Sequence, residues 1–73
     1  MNITLEYNGY VGSVEFSEQD RIFYGKVKGV HALITYEGTS INELTEDFHE
    51  AIDSYLALCE TEGIEPEKSS LPD

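Results

Sequence analysis

Glu46-x-x-His49 has the spacing of a carboxylate–histidine metal pair on one helix face, with Glu50 and Asp53 about a turn away. Di-metal carboxylate centres need such pairs from two helices and further carboxylates pointing inward. Here only one helix-length segment exists and these acids lie opposite its apolar stripe, so they read as a solvated face. His49 falls at the border of that stripe, where a half-exposed ring hydrogen-bonded to a neighbour is expected. His31 follows Gly29 in a loop, with no adjacent nucleophile or base. Asp53-Ser54 has the residue pair of a carrier-protein attachment site, but that serine belongs at a helix start and Ser54 lies in a helix middle. Gly9, Gly12, Gly25, Gly29 and Gly38 are scattered through strands and turns and form no phosphate-cradling loop. Within the strands, Gly12 and Gly25 either permit close backbone approach or make room for Tyr or Phe. Neither a catalytic triad nor a clustered ligand set emerges. No enzyme activity, cofactor or metal is expected.

Charge is the stronger signal. From Glu37 to Glu67 the chain carries ten carboxylates and no Lys or Arg, whereas residues 1–36 hold four acids against three bases. The formal net charge of −11 therefore belongs almost wholly to the second half. Such a surface repels phosphate backbones and anionic membranes and attracts basic proteins at long range. It is also a simple route to solubility. With four bases and no basic stripe, DNA binding by this chain alone is not expected.

Seventy-three residues make one small domain whose burial yields a few kcal/mol at most, which favours self-association or an obligate partner. No apolar run approaches the length of a membrane span, and MNITLEYNGY has neither a basic n-region nor an h-region. The single Cys59 suits a reducing compartment and fits the helical pattern as a small buried hydrophobe. A cytoplasmic protein is expected.

The elements that position these residues follow from periodicity. Ile3, Leu5 and Tyr7 alternate with polar residues, and Asn8-Gly9 supplies a hairpin turn or a bulge in one bent strand. Tyr10 to Phe16 reads as the next strand, with Tyr10, Gly12, Val14 and Phe16 on one face. After the polar turn Ser17–Arg21 come strands over Ile22–Val27 and roughly Ala32–Tyr36. Ser40 is a good helix N-cap, and Glu43 three residues later completes a capping box. Ile41, Leu44, Phe48, Ala51, Ile52, Tyr55, Leu56 and Cys59 then make one apolar stripe, with Glu43, Glu46, Asp47, Glu50, Asp53 and Glu60 opposite. Gly63 sits where a left-handed residue would end the helix, Ile64 could supply the accompanying apolar contact, and Pro66 forbids continuation. The expected fold is α+β: a three- to four-stranded antiparallel meander on one long helix, with a domain over residues 1–64 and a polar tail over 65–73.

The ordered set Tyr10–Asp20, Phe23-Tyr24-Gly25-Lys26-Val27, Ile34–Gly38, Ser40–Leu44, Phe48–Leu56 and Gly63–Lys68 resembles the HicB antitoxin family across about residues 5–68. The resemblance implies a partial ribonuclease-H-like fold without that fold's catalytic carboxylates. It also implies a partner: a small basic, mRNA-cleaving toxin of the HicA type, silenced when this domain covers its active site. Many relatives continue past this segment into a DNA-binding domain; this sequence ends at Asp73, so autorepression is not expected of it. Glu43, Glu46, Asp47, Glu50 and Asp53 are the candidate partner-binding residues, and a homo-oligomer, dimer or tetramer, is expected. The competing reading is a stand-alone oligomeric module with a non-toxin partner or ligand. A nuclease retaining ribonuclease-H chemistry is a weaker third, because Glu6 and Glu15 are the only acids within the strands proper, with Glu37 at the end of one.

Overall fold

A computed structural model describes residues 3–67. It is α+β, with five short strands in two antiparallel sheets against one long helix: β1 (Thr4–Tyr7), β2 (Tyr10–Ser13), β3 (Glu15–Ser17), β4 (Ile22–Lys26), β5 (Thr35–Gly38) and α1 (Ile41–Glu62).

Asn8 and Gly9 both take positive φ, 54° and 85°, which matches the right-handed twist of the β1–β2 hairpin and sets its register, Tyr7 opposite Tyr10. The bulge alternative is thereby set aside. The segment expected to be one strand from Tyr10 to Phe16 is instead broken at Val14. The break has a local cause. Ser13 Oγ accepts the Lys26 N–H at 3.1 Å, a side chain standing where a ladder carbonyl would otherwise be. Beyond it β3 continues in a different sheet, in the order β3-β4-β5, and Phe16 is half exposed rather than sharing the buried face of Tyr10 and Gly12. The two sheets stay joined by the Gly12–Val27 bridge and by Lys28 N–H donating to the Val11 carbonyl at 2.8 Å.

The last strand runs Thr35–Gly38 rather than from Ala32, because residues 28–34 form a loop whose one ladder bond to the β4 side is Val27 N–H to the Ile34 carbonyl. Ser40 caps α1 by accepting the Glu43 N–H at 3.2 Å. Glu43 reaches back one residue further than a capping box requires: its Oε1 takes both the N–H and the hydroxyl of Thr39. At the other end Gly63 is left-handed (φ 68°), with Ile64 N–H bonded to Cys59 and Gly63 N–H to Glu60, the paired bonds of a Schellman ending.

The core lies between α1 and the two sheets. Leu44, Phe48 and Ile52 are fully buried there with Tyr10, Val27, Ile34 and Tyr36, while Cys59 is buried further along the helix. Ile41, expected in the stripe, is half exposed at the first position of the helix. Gly12 makes room for the Tyr36 hydroxyl and the Phe48 ring, and Gly25 lets the Ser13 carbonyl approach its backbone; each alternative open in the sequence applies at one position.

Candidate functional site

Five α1 carboxylates are the residues the sequence singles out, and the fold gives them unequal roles. Glu43 is a helix cap. Its bonds to Thr39 hold its carboxyl below the usual glutamate range. Asp47 Oδ2 accepts the Glu37 N–H at 2.9 Å, fastening the helix to the outer side of β5. Asp53 Oδ1 accepts the Tyr7 hydroxyl at 3.1 Å, and that bond, with the carboxylate charge, raises the phenol's pKa. Glu46 and Glu50 are exposed and accept no hydrogen bond from a described residue. All but half-buried Asp47 are solvent-exposed as expected, and Glu43, Asp47 and Asp53 in addition join α1 to what precedes it. The reason is geometric, since short acids on the flank of the stripe reach the free amide and phenol groups at the sheet margin.

His49 stacks on Tyr7 with ring centroids 4.1 Å apart and an interplanar angle of 23°, so it docks the β1–β2 hairpin onto the helix instead of facing a metal. Among the described residues, no group of three or more His, Cys, Asp or Glu is placed to hold a metal ion. Cys59 is buried. Glu6, Glu15 and Glu37, the acids considered for nuclease chemistry, are all solvent-exposed.

Beyond Gly63 the described part of the polar tail turns back on the domain. Glu67 N–H donates to the Tyr55 hydroxyl at 3.0 Å, while the Glu67 carboxylate accepts the His31 N–H and stands 2.9 Å from His31 Nδ1. Those bonds lower the Glu67 pKa and pin the loop between β4 and β5. Ser69, Ser70 and Pro72, read as tail residues, lie outside the described residues.

No α1 carboxylate forms an ion pair with a described residue; the His31–Glu67 pair is the one present among them. Glu60 and Glu62 occupy the last helical turn, which carries no base, although the helix dipole favours cations there. The outer flank of α1 is thus a surface of one sign, running from Glu46 to Glu60.

Sequence reasoning did not anticipate an apolar groove of about 410 Å³ between α1 and the chain leading into β5, lined by Ala32, Leu33, Ile34, Ala51, Tyr55 and Leu58 among others. Leu58, outside the predicted stripe but three residues from Tyr55, was the available signal. No helix of the described residues is long and apolar enough to cross a membrane. The chain matches no family model, no curated protein and no solved structure.

Proposed function

We propose that this chain is an antitoxin-type domain that captures and neutralises a small basic ribonuclease of the HicA kind. The observation that carries the reading is the single-signed flank of α1, whose acids form no ion pair with a described residue, together with Glu60 and Glu62 in the last helical turn, where they oppose the dipole. Carboxylates placed against local stability fit a surface held for a partner better than one chosen for helix formation. A ribonuclease must carry positive charge to hold RNA, and an acidic domain of this size steers toward such a surface. The HicB-like order of elements and residues supplies the toxin class.

The test is rescue of growth when a neighbouring basic toxin is induced, alongside stopped-flow binding at several salt concentrations. Glu46→Gln with Glu50→Gln removes charge without touching a hydrogen bond, so fold and melting are expected to hold while association slows roughly three- to tenfold at low salt. An unchanged rate and unchanged salt dependence would reduce the helix flank to a solubilising surface. Failure of the wild-type chain to rescue growth would remove the antitoxin reading.

A further inference from the structure

The groove beside β5 combines three features that point to one kind of occupant. The first is a free strand edge. Glu37 N–H points away from β4 to reach Asp47, and Val27 N–H takes the Ile34 carbonyl on the opposite side. Alternation along β5 therefore turns the N–H and C=O of Thr35 outward as well, and among the described residues neither has a partner. The second is an apolar slot directly beside that edge. Leu33 and Leu58 are 82% and 56% exposed and form its two lips over Ala51 and Tyr55. The third is charge. Asp47 and Glu62 lie one helical turn beyond the two ends of the Ala51–Leu58 stripe, Glu50 is one turn before Ser54, and neither β5 nor α1 contains a Lys or Arg.

We propose that this groove is the docking site for an extended cationic segment of a partner protein. The segment adds to the outer edge of β5 through Thr35, places one large apolar side chain between Leu33 and Leu58, and sets Lys or Arg against Asp47, Glu50 and Glu62. Backbone pairing supplies affinity and alternate side chains supply specificity, as in strand addition generally. A second copy of this chain is disfavoured as the occupant, because two such faces would bring like charges together with no base on either β5 or α1 to offset them. The inference rests on the basic-partner reading above and adds the surface that reading uses.

The experiment titrates the isotope-labelled full chain with the capped heptapeptide Lys-Val-Arg-Leu-Lys-Val-Arg, and with the same peptide carrying Glu at every basic position. Expected are salt-sensitive NMR shifts from the basic peptide at Thr35, Leu33, Ala51 and Leu58, and none from the acidic one. Leu33→Ser with Leu58→Ser, at two exposed sites, should leave the melting curve in place and weaken binding by about tenfold or more. Four results would overturn the proposal: no binding, equal binding of the acidic peptide, shifts confined to the Glu46–Glu50 flank, or Thr35 shifts that grow with protein concentration in the absence of peptide. The same double variant separates the two readings in cells. If it rescues growth as well as wild type, the groove is wrong and the antitoxin reading stands. If the wild-type chain fails to rescue while the peptide binds as described, the groove stands and the antitoxin reading falls.

Discussion

Asp47 on α1 accepts the backbone N–H of Glu37 at 2.9 Å, so a helix carboxylate occupies one position on the outer edge of β5. The contact closes that position to strand pairing and leaves Thr35 as the open one. It also separates Asp47 from Glu46, its neighbour in sequence, which accepts no hydrogen bond from a described residue.

Asp47→Ala is expected to cost about 1 kcal/mol, the loss of a charge-assisted bond to the amide of exposed Glu37. Asp47→Asn keeps an acceptor and should cost less. Glu46→Gln should fall within about 0.5 kcal/mol of wild type. Urea unfolding with an unchanged m-value is the measurement. Equal effects from Asp47→Ala and Glu46→Gln would show that the Asp47 contact adds no stability.

Gly25→Ala should be far more damaging than Gly63→Ala. A methyl at Gly25 collides with the Ser13 carbonyl oxygen, a backbone atom that the Tyr36 hydroxyl also holds at 2.6 Å. Overpacking of this kind against fixed backbone costs about 3 kcal/mol. A methyl at Gly63 meets no atom within 4 Å and carries only the left-handed strain, about 1–2 kcal/mol. Thermal melts of the two variants should therefore differ by several degrees.

Burial pushes the Tyr36 phenol up from 10 to about 12, against the opposing pull of its bond to Ser13. A folded-state pKa above the unfolded one favours the folded chain while the phenol is protonated. That contribution is complete below pH 10 and is lost as pH rises through about 12. Tyr36→Phe should lose about 1–2 kcal/mol at neutral pH, because the Ser13 carbonyl loses its donor. It should also flatten the fall in stability between pH 10 and 12, leaving what Tyr7, Tyr10 and Tyr55, whose pKa values are also raised, contribute. A variant with the wild-type slope over this window would contradict the assignment.

Self-association is expected through β3, which pairs only with β4 among the described strands and sets half-exposed Phe16 4.9 Å from Phe23. Sedimentation at about 100 μM, high enough to reveal weak pairing, should give a dimer or tetramer that Phe16→Ser shifts toward monomer. A monomer at that concentration would exclude this interface.

Local patterns alone determined the helix and its ends. Leu44, Phe48, Ile52 and Cys59 recur at helical spacing, Ser40 precedes them and Gly63 follows, and each of those signals acts within a few residues of chain. Asn8-Gly9 fixed the hairpin for the same reason. Tertiary structure decided everything that joins distant segments. Ser13 breaks a continuous β pattern because its hydroxyl meets Lys26, and Glu67 leaves an apparently unattached tail because it reaches His31 and Tyr55. The acids of α1 divide in the same way. Helical spacing places Glu43, Glu46, Asp47, Glu50, Asp53 and Glu60 on one flank, but only the packed sheet brings Glu37, Thr39 and Tyr7 within hydrogen-bond reach of Asp47, Glu43 and Asp53. The groove is the extreme case. Leu33 and Leu58 are 25 residues apart and form its lips only because α1 packs against β5, a placement set by the summed burial of the core rather than by either leucine.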